Sequence, residues 1–276
     1  MSVRKNKMFL TGAVLLCILM AVSWIVPQLL PWSSTEMHAD IRNMGMSKEH
    51  FFGTDKFGRD LFVRVCYGTR LSLFIGGASA LLNGIFGILY GGIAGYAGRS
   101  VDMILMRLAD ILVSIPSLLY VILIMLIFGA DERSILLGLC VSGWIDTARL
   151  VRGEVMRLKE REFCIASRLF GAGSFQVFFR HILPNAAGPV IVNLTYLIPQ
   201  SIFTETFLSF VGIGIPAPAA SLGTLIQASR SQMQVYPYQM FLPVFVLCVL
   251  ILALNMMGAG LEACIKNRRG SGSALS

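Results

Sequence analysis

Apolar runs long enough to cross a lipid bilayer dominate this sequence. The first, Met8 to Leu30, contains no charged residue over 23 positions, and about 20 apolar residues in a helix span the hydrocarbon core. Helices satisfy their own backbone hydrogen bonds, as a lipid environment requires. Hydrophobic residues make up 55% of the chain and charged residues 14%, whereas charged residues form about a quarter of a soluble domain. The sequence therefore predicts an all-α integral membrane protein with about six transmembrane helices.

Polar interruptions between the apolar runs divide the chain into expected segments. Charged side chains are costly inside a bilayer, so their return marks the end of a span. The segments are a cytoplasmic N-terminus over 1–7, a first transmembrane helix over 8–30, an external loop over 31–70, a five-helix core over 71–265 with a cytoplasmic loop over 152–185, and a cytoplasmic tail over 266–276. We expect the second span to run from Leu71 to Tyr96. A third span, Val101 to Phe128, is expected to kink at Pro116.

Basic residues set the expected orientation. Arg4, Lys5 and Lys7 precede the first span, and the loop over 152–185 is rich in arginine. Cytoplasmic loops carry an excess of such residues, so both termini and this loop are predicted to be cytoplasmic. The first apolar run exceeds the roughly 7–15 residues of a signal peptide, which favours an uncleaved span. The net charge of +8 then belongs to cytoplasmic loops, and no nucleic acid partner is expected.

Small and acidic residues within the spans suggest two sites. Gly87, Gly91 and Gly95 repeat every fourth residue in the second span, a pattern that lets helices approach closely in a bilayer. They are candidates for a subunit interface, although packing inside the bundle also explains them. Glu205 is a lone carboxylate near the outer end of the fifth span. It is a candidate for the translocation pathway or subunit interface, with a hydrogen bond to a neighbouring helix as the alternative.

Charged residues elsewhere are interpreted as local pairs. Arg107 with Asp110, and Asp146 with Arg149, lie about one helical turn apart and can pair near helix ends. A proton relay would need a chain of ionisable groups at depth. The turn-forming stretch from His50 to Asp60 predicts a tight loop whose charged residues pair locally. A docking surface is the alternative interpretation of this stretch.

The polar segment from Leu158 to Asn185 has the pattern of two short amphipathic helices. Phe163, Ala166, Leu169 and Phe170 would form the apolar face of the first helix. Gly171 is expected to end that helix in a left-handed conformation, and Ser174 to cap the second. The second helix is expected from Phe175 to Leu183, ending against Pro184. Two such helices between spans predict a docking platform.

Motifs for enzymatic chemistry are absent from the sequence. There is no G-x-x-x-x-G-K-[ST], H-E-x-x-H or G-x-S-x-G. The six cysteines are scattered singly and form no metal or disulfide spacing. The classes of function that remain for this membrane protein are a conduit, a carrier or an anchor. A carrier driven by ion gradients usually shows two related halves, and no such duplication is evident.

The cytoplasmic segment also carries a resemblance to a known family. It is similar to the signature loop of permease subunits in binding-protein-dependent ABC importers, E-A-A-x3-G followed by an apolar residue and L-P. The matching positions are Ala166, Ser167, Gly171, Leu183 and Pro184. The glutamate of the signature falls on Ile165. His181 takes the apolar position, as is usual in the peptide-importer branch.

Further stretches resemble the same family, in order along the chain. They are HFFGTDKFGRD at 50–60, MRLADI at 106–111, ARLVRGEV at 148–155, TETFLSFVGIGIPAPAASLG at 204–223, and N-x-x-G from Asn255. The similarity is closest to the second permease of oligopeptide importers. Dipeptide and nickel permeases share the architecture and remain alternatives. From other classes, a gradient-driven carrier and a membrane scaffold remain open.

The resemblance implies a type I ABC importer permease fold with a cytoplasmic coupling helix, in a bacterial plasma (inner) membrane. It implies a sibling permease, two cytoplasmic ATPases that bind ATP and Mg, and an extracytoplasmic substrate-binding protein. This chain would then be a transport subunit without a cofactor and not an enzyme. The implied ATPase-coupling residues are Glu162, Phe163, Ala166, Ser167, Arg168, Phe170, Gly171 and Ala172, with Arg168 as a charged contact.

Overall fold

The structure is a computed structural model that describes residues 6–216 and 218–273. Within these ranges the regular elements are helices, and an isolated β-bridge pairs Thr54 with Asp60. The α-helices are α1 (Lys7–Leu29), α2 (Leu61–Tyr96), α3 (Arg99–Val113), α4 (Ser117–Phe128), α5 (Glu132–Ser142), α6 (Ile145–Leu158), α7 (Glu162–Leu169), α8 (Ser174–Val177), α9 (Leu183–Val211), α10 (Leu222–Ser229) and α11 (Tyr238–Ser273). Most of the expected N-terminal segment and the last three residues of the expected tail, 274–276, lie outside the described residues.

The predicted membrane-spanning architecture is confirmed. Among the described residues, five helical stretches are long and apolar enough to cross a bilayer, and a bent helix pair raises the number to as many as six. The five stretches are Lys7–Leu29, Leu61–Tyr96, Glu132–Leu158, Ser174–Val211 and Tyr238–Asn267. The bent pair is α3 and α4.

The third expected span is broken rather than kinked. Its two parts, α3 and α4, meet at an angle of 74°. Pro116 precedes α4 in an extended conformation, with φ −54° and ψ 131°. Proline has no backbone N–H to donate, and it disfavours helical geometry in the residue before it. The helix therefore ends at Val113 and restarts at Ser117.

The second span is longer than the sequence predicted. Its helix begins at Leu61 rather than Leu71, so residues 61–70 of the expected loop are helical. The position of the loop outside the membrane stays a prediction. The carboxylate of Asp60 accepts from the backbone N–H of Val63 at 2.8 Å and caps the helix. His50 Nδ1 lies 2.7 Å from the same carboxyl group, and both side chains are buried. Arg59 pairs with Asp55 at 2.7 Å, which agrees with the predicted tight loop.

The last helix also extends beyond its expected end at Ile265. Residues 266–273 of the expected tail continue α11. Lys266 pairs with Glu262 at 2.7 Å, one helical turn earlier, a spacing that stabilises a helix.

The long helices pack around α2, which contacts α1, α5, α6, α9 and α11. Two of the buried clusters position the parts of the molecule considered below. One joins α2, α9, α10 and α11 through Leu61, Ile202, Leu222 and Leu250. The other joins α6 through α9 and contains Val151, Val155, Cys164, Val177 and Val190. Through this second cluster, the polar segment between spans is fixed to the membrane helices.

Some charged side chains that were expected to pair within one helix pair instead with a residue of another helix. Asp110 of α3 accepts from Arg149 of α6 at 2.9 Å, so it pairs across the bundle and not with Arg107. Arg149 also lies 3.8 Å from Asp146, as predicted. Arg152 of α6 donates to Asp102 of α3 at 2.6 Å. These contacts tie α3 to α6.

Candidate functional site

The end of α7 has the backbone geometry that the sequence predicts. Gly171 adopts a φ of +87°, in the left-handed region that favours glycine. The backbone N–H of Gly171 donates to the carbonyl of Arg168 at 2.9 Å, and that of Ala172 donates to the carbonyl of Ser167 at 3.1 Å. These bonds close the last turn of the helix. A Cβ at position 171 would meet no atom within 4 Å, so conformation and not space requires glycine here.

One face of α7 is anchored in the protein. Cys164 is fully buried and packs with Val151, Val155 and Val177. Burial raises the pKa of its thiol, which keeps the group neutral and suited to this apolar contact. The helix is therefore held by its buried side, and its other side is free to contact a partner.

The outer side of the segment is strongly apolar. Leu169 is 83% exposed, Phe170 93% and Phe175 76%. Of these three, Phe170 borders a shallow groove of about 550 Å³, lined by Phe163, Ala166, Ser167, Phe170, Gly171, Ala172, Gln176, Arg180 and His181. The groove thus brings together six of the eight predicted coupling residues. Large apolar side chains exposed together indicate an interaction surface.

Arg168 and Glu162 lie outside this groove. The guanidinium of Arg168 lies over the ring of Tyr96, 5.4 Å from its centroid, and donates to the carbonyl of Lys159 at 3.0 Å. Lys159 in turn donates to the carbonyl of Gly95 at 3.0 Å. Glu162 is exposed in the first turn of α7. Arg168 therefore braces α7 against the end of α2, and its charged contact with a partner stays a prediction.

Arg168→Gln is expected to loosen α7 without unfolding the bundle. A cation over an aromatic ring at an exposed site contributes about 0.5–1 kcal/mol, so amide hydrogen exchange in α7 should accelerate roughly two- to fivefold. Mass spectrometry of exchange in the peptide over 162–170 measures this. Arg161→Gln, at an exposed arginine that precedes the same helix, is the control. Equal acceleration in both variants would contradict the bracing contact.

The second expected amphipathic helix is not a separate helix. It begins at Ser174 as α8, passes into a π-helical stretch from Phe178 to Ile182, and continues without a break into α9. Ser174 does not cap it, because Gly173 occupies that position. Pro184 lies in the first turn of α9 and does not end the helix, contrary to the expectation; because the preceding residues are also helical, its missing N–H leaves one hydrogen bond of the continuous helix unmade. The groove is thus attached directly to a membrane-spanning helix.

The glycines of α2 pack against α6 of the same chain. A Cβ at Gly87 would lie 2.8 Å from the carbonyl oxygen of Trp144, and one at Gly95 would lie 2.8 Å from Val155 Cβ. At Gly91 it would lie 2.9 Å from the backbone of Ala148. This close approach fits the expectation of packing inside the bundle. A role in a subunit interface stays a prediction.

Glu205 is fully buried between α9 and α2. Ser72 of α2 donates to its carboxylate at 3.1 Å, and Ser209 donates at 2.9 Å. Further along, Ser201 and Ser79 join the same two helices through a 3.0 Å hydrogen bond. The hydrogen bond to a neighbouring helix, one of the two alternatives for Glu205, is present. A part in a pathway or subunit interface stays a prediction.

Sequence reasoning missed several residues near these contacts. The guanidinium of Arg168 lies over the ring of Tyr96, and no motif in the sequence marks this tyrosine. Asn83 lies within α2 and is 2% exposed. An amide surrounded by apolar and glycine residues in a predicted span is a signal that could have singled it out.

Fold and segment together define a multi-span helical membrane protein with an exposed apolar segment between spans. The chain belongs to the family of binding-protein-dependent transport system inner membrane components, whose sequence pattern matches residues 87–268. The expected family membership is confirmed.

Three relatives extend this match over nearly the whole chain. The oligopeptide transport system permease protein OppC of Bacillus subtilis (strain 168) is 39% identical over 259 residues, covering 94% of this chain and 85% of that protein. The dipeptide transport system permease protein DppC of the same organism is 40% identical, with coverages of 94% and 81%. The OppC protein of Haemophilus influenzae is 35% identical, with coverages of 94% and 84%.

Solved structures share the fold at low sequence identity. Two inward-facing crystal forms of the MetNI methionine ABC transporter match with TM-scores of 0.58 and 0.60 at 18% and 19% identity. They cover 71% and 79% of this chain, and 94% and 99% of the matched chains. This likeness supports the permease fold.

Proposed function

We propose that this chain is the permease subunit of an ATP-driven, binding-protein-dependent importer of oligopeptides. The observation that carries the proposal is the 39% identity with an oligopeptide permease over 94% of the chain. Dipeptides are the second candidate cargo, because a dipeptide permease is 40% identical over the same share. Nickel remains a third cargo, from the resemblance of the loop sequence alone.

In this proposal the groove beside α7 receives an ATPase subunit. Phe163, Ala166 and Phe170 supply the apolar contact, and ATP and Mg are bound by the partner ATPases. Cys164 fixes α7 to the buried cluster around α6, and the helical segment that lines the other side of the groove continues into α9. A displacement of the segment is therefore passed to two membrane helices. ATP must favour one arrangement of these helices over the other for the movement to drive transport.

The same proposal names the remaining partners and the location. A sibling permease completes the membrane part, two cytoplasmic ATPases supply energy, and an extracytoplasmic binding protein delivers the cargo. The assembly lies in the bacterial inner membrane with both termini of this chain in the cytoplasm. The arginine-rich segment over 152–185 supports that orientation.

Purification of the tagged chain with its associated proteins tests the function. We expect a second permease and two ATPases to co-purify, and vesicles containing this assembly to import trialanine only with ATP and the binding protein. Uptake by the chain alone under an ion gradient would support a carrier instead. An assembly that moves no peptide under any condition would support a scaffold.

The salt dependence of this association tests the contact surface. Because the exposed side of α7 is mainly apolar and Ile165 takes the place of the signature glutamate, the ATPases should remain bound as NaCl rises from about 0.1 M to about 1 M, where charged surface contacts are screened. Gel filtration at both concentrations measures this. Dissociation at high salt would contradict an apolar interface.

A further inference from the structure

A polar cavity lies within the helical bundle, separate from the groove beside α7. It has a volume of about 260 Å³. Its walls come from α2, the break between α3 and α4, the junction of α5 and α6, and α9. The polar side chains of interest in its lining are Asn83, Ser142, Asp146, Gln200, Ser201 and Thr204.

This cavity lies at a depth that lipid would otherwise fill. Asn83 lies 13 residues before the end of α2 at Tyr96, which corresponds to about 20 Å along a helix. The hydrocarbon core of a bilayer is about 30 Å thick. Hydrogen-bonding side chains at such depth normally face a partner or a water-filled path, so the polar lining indicates a function.

Asn83 has a hydrogen-bonding group without a partner. Its Nδ2 donates to Ser79 Oγ at 3.1 Å and to the carbonyl of Leu139 at 3.5 Å. Its Oδ1 is buried and, among the described residues, accepts no hydrogen bond. Most buried polar atoms in proteins are paired, and an unpaired one requires an explanation. Because this oxygen is closed off from the cavity, the polar groups that a ligand can reach are those of Ser142, Gln200 and Thr204, beside Asp146.

The charge at the cavity favours a cation. The side chain of Asp146 is 76% exposed and lies 3.8 Å from Arg149, whereas Arg149 binds Asp110 more closely at 2.9 Å. Two carboxylates thus share one guanidinium, which leaves a net negative charge. Of the described residues that line the cavity, none is basic. An ammonium group is therefore better suited to this cavity than a carboxylate.

We propose that the cavity binds the amino-terminal end of a peptide during its passage. Asp146 accepts the α-ammonium group, while Gln200 and the hydroxyls of Ser142 and Thr204 bind main-chain amide groups. The volume of about 260 Å³ lies just below that of most ligand sites, which are about 300–1,000 Å³, so the cavity holds only a short segment of the cargo. Main-chain groups and the free amine are shared by all peptides, so this site accepts many sequences. The inference rests on the proposed function as a peptide permease.

Site-specific cross-linking in the complete transporter tests the location. The photoreactive residue p-benzoylphenylalanine replaces Gln200 in one variant and Leu81 in the other. Gln200 lines the cavity and is exposed. Leu81 is 62% exposed and, two residues from Asn83, points to nearly the opposite side of α2 at the same depth. During ATP turnover with the binding protein, a trialanine probe with a fluorophore at its carboxyl end should cross-link at least fivefold more at position 200.

Substitution of the carboxylate tests the chemistry. Asp146→Asn should lower trialanine import about tenfold, and Asp146→Glu should retain most of it, with equal amounts of assembled complex by gel filtration. If the wild-type assembly imports trialanine but both positions cross-link equally, or Asp146→Asn imports at the wild-type rate, the cavity is not the site. If the wild-type assembly imports no peptide at all, the proposed function itself fails.

Discussion

Gly91→Ala is expected to lower the recovery of assembled transporter from membranes by about tenfold. The added Cβ would lie 2.9 Å from both the Cα and the carbonyl carbon of Ala148, and closer still to its carbonyl oxygen. Because the obstruction is the backbone of α6, no change of rotamer relieves it and the two helices must separate. Overpacking of this kind costs about 1–3 kcal/mol, and about 1.4 kcal/mol corresponds to a tenfold change.

Gly77→Ala is the matched control for this substitution. Gly77 lies on the same helix, and a Cβ there would meet no atom within 4 Å. Alanine also favours a helix more than glycine does, so this variant should assemble at least as well as the wild type. Fluorescence-detected gel filtration of detergent extracts compares the two variants. Similar losses at both positions would show that the contact between α2 and α6 does not limit assembly.

The contact between α2 and α6 also connects the membrane helices to the polar segment from Leu158 to Asn185. Gly91 and Gly95 allow α6 to lie directly on α2, and α6 leads through Lys159 into α7. Lys159 donates to Gly95, and Arg168 lies over Tyr96. The end of α2 at Tyr96 is thus joined to α7 and to the residue before it, which supports the rigid displacement in the proposed mechanism.

Hydropathy predicted the helical class and the approximate number of spans because lipid leaves a chain few alternatives. It did not predict where helices end when tertiary contacts decide. α2 begins at Leu61 because Asp60 caps it and also binds His50, a residue from the preceding loop. The break at Pro116 is sharper than a kink, and sequence alone does not distinguish the two.

Local backbone rules predicted part of the candidate site, and contacts distant in sequence supplied the rest. The left-handed Gly171 follows from glycine at the end of an apolar helical pattern. The position of Arg168 over Tyr96 depends on a residue in another helix, for which the loop sequence gives no signal. The cavity around Asn83 is assembled from separate helices and a helix break, so no continuous motif marks it.

Gly171→Val is expected to reduce ATP-driven peptide uptake at least tenfold while the bundle remains folded. A residue with a β-carbon loses roughly 1–2 kcal/mol in the left-handed conformation, and β-branching adds to this restriction. The last turn of α7 would then rearrange, which moves the exposed Phe170 away from its position beside the groove. No neighbour obstructs the new side chain, so the defect comes from backbone conformation. Uptake and ATP hydrolysis in reconstituted vesicles measure the loss of coupling.

Gly173→Val separates this effect from the mere addition of bulk near the groove. Gly173 lies two residues further on, with φ −67° and ψ 160°, an extended conformation that valine adopts readily. A Cβ there also meets no atom within 4 Å. This variant should therefore keep most of its uptake. If both variants lost uptake equally, steric exclusion of the ATPase would explain the result. If Gly171→Val transported at the wild-type rate, the left-handed turn would have no part in coupling.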